Sequence, residues 1–425
     1  MSARLRLACL PLAASLLAAT IGHGQSTPPR TRADSLKADS ARIADSLAVV
    51  RELGAQRPAA TQGQTGPINA RLLPDISLVG DMISDLSPKG STVEGGNRFG
   101  IREVEFAAQA AVDPYFRGDV FIGFSDAEGV AIEQAFLTTT SFPWQLELRL
   151  GRFLMPVGKQ NTTHRHDLHS IEYPLVLQRF LGEEGLKGTG LQASKVVAPF
   201  GFYQELIVSV VDRFGEAPED LASPEPANKD LTGLGFSARL RNYWDLSESS
   251  NVELAASTVT GRREQPVALV LSEFNATNAR QSVYGVDVTY RWRPLQQGLY
   301  KSFILQGEFL RQVNERTPSL AGLPGSPTLQ DYLGPNRDFN GLYAFTRWQM
   351  SRRTYIGGRL DALEDPEFDG GTTRAASLYF TFFPSEFSKL VAAYERIMPP
   401  SGFERLNRLL VQASFSLGPH KPHPF

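Results

Sequence analysis

Three of the six histidines in this chain crowd one short stretch, His164-Arg165-His166-Asp167-Leu168-His169. Neutral imidazoles at that spacing, with Asp167 or Glu172 beside them, form a donor set for zinc or copper. The plainer alternative is that His164, His166 and His169 are hydrogen-bonding loop residues, or groups facing a wet passage that titrate mildly near neutral pH. A flexible loop seldom fixes tetrahedral geometry unless outer partners hold the rings, so the metal reading depends on what supports this stretch. The same region carries Arg165, Asp167, Arg179, Glu183 and Glu184, which together could impose a local field on a passing solute. Leu168, Ile171, Leu175, Val176, Leu177, Phe180 and Leu181 are interleaved with them. A connection as long as 157–189 with that apolar content is expected to pack against a surface, the alternative being a loop lying over a rim. A second histidine pair, His420 and His423, is expected on the opposite side.

No catalytic constellation accompanies these residues. Ser170 follows His169 directly, and neighbours on an extended segment point apart. Gly-x-Ser-x-Gly, His-Glu-x-x-His and phosphate-cradling Gly-Lys-Ser/Thr motifs do not occur in the sequence. An enzyme is therefore not expected.

The elements that must position the loop are sixteen short segments of alternating apolar and polar residues, from 74–86 to 405–418, with 144–156 and 190–199 flanking the loop. In Val286-Asp287-Val288-Thr289-Tyr290-Arg291-Trp292-Arg293 the valines, Tyr290 and Trp292 share one face and the polar residues share the other. Connections alternate between short turns, such as Asp113-Pro114-Tyr115 and Ser385-Glu386, and longer stretches at 157–189, 215–232, 264–280 and 314–340. With an even strand number both termini fall on the short-turn side, as in outer-membrane barrels. Aromatics at Trp144, Tyr243, Trp244, Trp292, Phe382 and Phe383 lie near turns, where an interfacial girdle would sit. Alternation alone also suits a soluble barrel; strand count and turn parity favour apolar residues outside and a polar lumen. Candidate lumen residues are Arg149, Arg239, Arg241, Arg291, Arg293 and Arg359, with Glu103, Glu105, Glu133, Glu147, Asp287, Glu308, Asp361 and Glu395. Six bases against eight acids make no basic ladder, so pairing or a transverse field is expected.

Residues 1–24 read as a signal peptide, with Arg4 and Arg6 before a short apolar run and small residues at Gly22 and Gly24. The only cysteine, Cys9, lies inside it, so disulfides are not expected in the mature chain. Loss of the two arginines takes the formal charge from −2 to −4, which argues against nucleic acid as a partner. Residues 25–32 form a linker. At 33–53, Leu36, Ser40, Ile43, Leu47 and Val50 follow a coiled-coil seam, the alternative being a solvated tether with nascent helix. A second linker spans 54–73, and the barrel is expected over 74–425.

Taken together, the strand count, the long third external loop and the phrase Gly151-Arg152-Phe153-Leu154-Met155-Pro156-Val157-Gly158 resemble Gram-negative outer-membrane porins, most nearly the phosphate-selective porin O and P superfamily. The aromatic last residue, Phe425, is similar to an outer-membrane assembly signal, although the tail Pro419-His420-Lys421-Pro422-His423-Pro424 separates it from the last strand. The resemblance implies a loop folded into the barrel to set its narrowest point, and a homotrimer. The expected fold is all-β, a 16-stranded antiparallel transmembrane β-barrel with a short N-terminal periplasmic helix or coiled coil. The expected function is passive diffusion of small hydrophilic solutes or ions across a Gram-negative outer membrane, with outer-membrane lipid as partner. No cofactor is expected beyond a metal ion at the loop histidines. The alternatives are a metal-binding outer-membrane protein and a non-conducting surface barrel. A receptor barrel of about 22 strands with a plug would need more than residues 25–73 before it.

Overall fold

In a computed structural model of the protein, the residues described are 74–93, 96–126, 129–212, 224–225, 233–262, 265–266, 280–314, 338–368 and 370–418. The leader, the coiled-coil candidate, both linkers and the tail histidines His420 and His423 lie outside them. The chain divides into two units, Met1–Pro67 and Ile68–Phe425, and the second holds every element described below.

Sixteen strands form a closed antiparallel barrel: β1 (Asp75–Asp85), β2 (Phe99–Ala111), β3 (Phe116–Ser125), β4 (Gly129–Thr139), β5 (Leu146–Leu154), β6 (Lys187–Val197), β7 (Tyr203–Val211) and β8 (Gly235–Ser247) make its first half. The second half is β9 (Ser250–Arg262), β10 (Arg280–Trp292), β11 (Phe303–Asn314), β12 (Phe339–Gln349), β13 (Thr354–Asp365), β14 (Gly371–Ser385), β15 (Ser388–Met398) and β16 (Leu406–Leu417). Each strand pairs with its sequence neighbours, and β16 returns to β1 with Leu417 opposite Leu78 and Leu410 opposite Asp85. Closure leaves no unpaired edge. A two-residue ribbon, Pro224–Glu225 with Gln265–Pro266, stands apart from the barrel sheet. The expected strands are all present. At β6, expected from 190, the strand begins at Lys187, because the ladder to β5 continues through Gly188 and Gly190. A Cβ at Gly190 would lie 2.0 Å from the Val210 carbonyl oxygen, so a glycine here marks close strand approach, not a loop.

The barrel is apolar outside and polar inside, which alternation could not decide. On β10, Val286 is 51% exposed while its neighbour Asp287 is 1% exposed. Leu254 and Phe309 likewise face out, whereas Glu253, Arg239 and Glu308 are buried. Such an outer face suits hydrocarbon and would be costly in water. The long β5–β6 connection lies at one end, which also carries the brief β3–β4 connection. The turns after β2, β8 and β14 lie at the other end, with the barrel's first and last residues. There Asp113 caps a tight turn by accepting hydrogen bonds from the Tyr115 and Phe116 amides at 2.7 and 2.8 Å. An aromatic belt marks this end: Trp292 stacks on Trp348 with ring centroids 5.8 Å apart, Phe303 meets Trp348 at 5.9 Å, and Phe202 meets Trp244 at 5.0 Å.

The hydrophobic core is not formed by the strands alone. It is built from Met155, Val157, Leu168, Ile171, Tyr173, Val176, Leu177 and Phe180 of the β5–β6 connection, packed on Phe153, Val259, Val283, Leu310, Phe339, Tyr343 and Leu363 of the wall. The long connection thus supplies the apolar surface that fills this level of the interior.

Candidate functional site

The connection turns inward at once. Pro156 sits at the centre of a three-residue turn in which the Val157 amide donates to the Met155 carbonyl at 2.8 Å. Gly158 follows with φ of +64°, and a Cβ there would come 2.0 Å from Glu308 Oε1, so only glycine lets the backbone lie against the opposite wall. Its amide donates to Ser257 Oγ at 2.9 Å and its carbonyl accepts from Arg239 at 2.6 Å, while Lys159 Nζ reaches Glu253 at 2.6 Å. The chain then crosses back, and His164 Nδ1 lies 2.7 Å from Glu105 on β2. Lys389 on β15 donates to the His166 and Leu168 carbonyls, and Arg347 on β12 to His169 Nδ1 at 2.8 Å. Arg102 donates to the Ile171 carbonyl at 2.7 Å and Arg359 to the Glu172 carbonyl at 2.8 Å. Helix α1 (Leu175–Leu181) ends the crossing, with the Leu175 amide donating to Asp361 at 3.0 Å. Val176 lies where Gly341 leaves room, since a Cβ at Gly341 would sit 2.4 Å from it.

Asn161 clasps the two stems of this segment. Its amide nitrogen donates to the Met155 and Leu186 carbonyls at 2.8 and 3.0 Å, and its oxygen accepts from the Leu186 amide at 2.7 Å. An unexceptional asparagine in Gln160-Asn161-Thr162 carries no sequence signal for that role. Arg102, Lys159, Glu253, Lys389 and Arg408 were missed for the same reason: their importance lies in what the closed barrel sets opposite them.

Of the five charged loop residues, four line one outward-facing cavity of about 270 Å³: Arg165, Arg179, Glu183 and Glu184. Arg102, Glu172 and Arg408 contribute further charge, and Ile83, Val93 and Leu175 an apolar side. Asp167 is not among its lining residues; its carboxylate lies 3.8 Å from His166 Nε2. Arg165 pairs with Glu184 at 3.0 Å and Arg179 with Glu367 at 2.6 Å. The wall residues also pair locally. Arg239 meets Asp287 at 2.8 Å, Arg241 meets Glu205 at 3.2 Å, and Arg291 meets Glu253 at 3.5 Å. Arg359 meets Asp361 at 2.8 Å and Glu395 at 3.1 Å. Arg149 lies 3.8 Å from Glu147 and 4.4 Å over the Phe136 ring, while Arg293, beyond the end of β10, donates to the Gly298 carbonyl at 2.8 Å.

His164 and His166 come together with ring centroids 5.5 Å apart, and Glu105 joins them. His169 does not: it stacks on Phe345 at 6.0 Å and bonds Arg347. Burial disfavours the His164 imidazolium, but the hydrogen bond and charge of Glu105, then Asp167 and Glu103, raise its pKa to about 9. His166 is shifted down, chiefly by burial.

Glu172 is the charged anchor of the segment. Burial would raise its pKa, but Arg408, paired through both carboxylate oxygens at 2.6 and 2.9 Å, holds it at about 2 against an ordinary 4.5. A depressed folded-state pKa contributes stability that is complete above pH 4.5 and lost as pH falls through 2, about 3 kcal/mol at most. Hydrogen exchange across residues 165–182, corrected for intrinsic rates, is expected to accelerate between pH 4.5 and 2. Glu172→Gln should raise exchange at neutral pH and flatten that profile; an unchanged profile would show that this pair does not hold the segment.

The chain is 27% identical over 347 residues to an uncharacterized protein of Aquifex aeolicus, covering 77% of this chain and 70% of that one. No protein-family profile matches the chain. Among solved structures, it is similar to the outer-membrane channel DcaP of Acinetobacter baumannii, with TM-score 0.51, 12% identity, and 84% of this chain and all of that chain covered. OprB of Pseudomonas putida gives TM-score 0.52 at 11% identity, covering 81% and 94%. OmpF of Salmonella typhi gives 0.52 at 8% identity, covering 82% and 98%. At such identities the likeness is one of fold, and the fold is that of the sixteen-stranded outer-membrane porins.

Proposed function

We propose that this protein is an outer-membrane channel through which small hydrophilic solutes or ions diffuse passively, with residues 157–189 as the constriction. The observation that carries the reading is the β5–β6 connection itself, buried inside the barrel and hydrogen-bonded to β2, β8, β9, β12, β13, β15 and β16. A segment so placed narrows any path along the axis. The outward apolar face and the aromatic belt support insertion in a bilayer with the short turns facing the periplasm of a Gram-negative cell. The reading of residues 1–24 as an export signal is consistent with that location. Nearness to the phosphate-selective porin O and P superfamily is supported by the phrase Gly151–Gly158 at the point where the chain turns inward. Phosphate selectivity is not proposed with it, because Arg239, Arg241, Arg291 and Arg359 each have a carboxylate within 3.5 Å. Discrimination by width, with weak ion preference, fits paired charges better.

Reconstitution of the purified barrel in planar bilayers tests the reading. Discrete conductance steps with weak ion selectivity are expected. Steps arriving in threes would support the proposed homotrimer, and single steps would count against it. Silence from well-folded protein would overturn the channel in favour of a non-conducting surface barrel.

A further inference from the structure

We propose that Glu105, His164 and His166 form a binding site for a zinc-class divalent cation that ties the inward-folded segment to β2. One ligand atom from each residue falls within 4.8 Å of the others, a span that a small shift would bring to the separation of donors around one zinc ion. Two imidazoles and a carboxylate are a common donor set for such a cation, leaving one position for water or solute. They come from two places in the chain: Glu105 is on a barrel strand, whereas His164 precedes and His166 lies within a short 3-10 turn at Arg165–Asp167. Glu105 and His166 are buried, and the barrel supplies the outer partners that a bare loop lacks. Bound through Nδ1, a neutral His164 would carry its hydrogen on Nε2, so Gln134, whose amide nitrogen lies 2.8 Å from that atom and whose oxygen accepts from the Leu154 amide at 3.1 Å, must turn its oxygen to the ring N–H on metal binding. The Phe121 ring, 5.1 Å from the His164 ring, closes another side. In the absence of metal, the contact between His164 Nδ1 and Glu105 is an ordinary hydrogen-bonded pair. A cation entering between them would take the place of the shared proton. This site differs from a ligand set of three histidines: its third donor is Glu105, and His169 is held elsewhere by Arg347 and Phe345. Nothing in it depends on whether the barrel conducts.

Zinc titration of the refolded full-length barrel, stripped with chelator and followed by calorimetry, tests the site. One saturable ion per chain is expected, and zinc absorption spectra should show two imidazoles and a carboxylate. His166→Ala leaves the His164–Glu105 pair in place and should lower affinity at least about a hundredfold. His169→Ala should leave binding unchanged, separating this site from the sequence-level triplet. Zinc should also slow hydrogen exchange at residues 162–168 in the parent and not in His166→Ala. Absence of saturable binding by the folded parent would overturn the proposal. So would binding that survives His166→Ala and Glu105→Gln but is lost with His420→Ala and His423→Ala together.

Discussion

Replacing residues 160–184 with a short flexible linker is expected to raise single-channel conductance severalfold. The wall does not need the segment for its backbone pairing: the ladder is continuous from β1 through β16 and closes on itself. What the segment supplies is the material inside. Removing it takes away Leu168, Ile171, Tyr173, Val176, Leu177 and Phe180 and exposes their wall partners Val259, Val283 and Leu310 to lumen water. The charges that anchored it, among them Glu105, Asp361, Lys389 and Arg408, would become hydrated instead of being left buried and unpaired, so their loss of partners costs little. The barrel should therefore survive with lower heat stability, and the path along its axis should widen. A folded deletion variant with parental conductance would show that the constriction lies elsewhere.

Arg359→Ala is expected to cost roughly 3–5 kcal/mol, measured as a lowered temperature of heat-modified migration or of calorimetric unfolding. Arg359 is enclosed between Asp361 and Glu395 and also donates to the Glu172 carbonyl. All three side chains are nearly inaccessible. Truncation leaves two carboxylates facing one another without the guanidinium that separated them, in a place where water is scarce. It also frees the point at which the segment enters helix α1, since Asp361 holds the Leu175 amide. Arg149→Ala is the informative control. Its side chain is 28% exposed, its nearest carboxylate is 3.8 Å away, and its loss should cost less than about 1 kcal/mol. Equal destabilisation by the two substitutions would mean that water reaches the Arg359 network freely.

How much of this was legible beforehand varies with the range of the interaction. The strand set was readable because a period of two is a local property, visible in Val286 to Arg293 without any partner. Turn positions were readable for the same reason, from residues such as Asp113-Pro114 and Ser385-Glu386. The crowding of His164, His166 and His169 was equally plain. Their separation was not, because the short 3-10 turn at Arg165–Asp167 and the contacts of Arg347 and Phe345 decide which ring points where.

By itself, then, the sequence determined a sixteen-segment, two-faced chain with a long apolar-rich third connection, since propensity, alternation and turn chemistry act between near neighbours. Apolar residues outside and a polar lumen followed from strand count and turn parity; only the tertiary structure decided that the connection is clasped by Asn161 and threaded across the barrel, and that Glu105 stands beside two histidines. It also turned a tally of arginines and acids into specific buried pairs. Closure and the inward connection bring residues distant in sequence to within 3 Å of one another, as in Gln412 with Asp81, Arg239 with Asp287 and Arg408 with Glu172, and no local pattern encodes that distance.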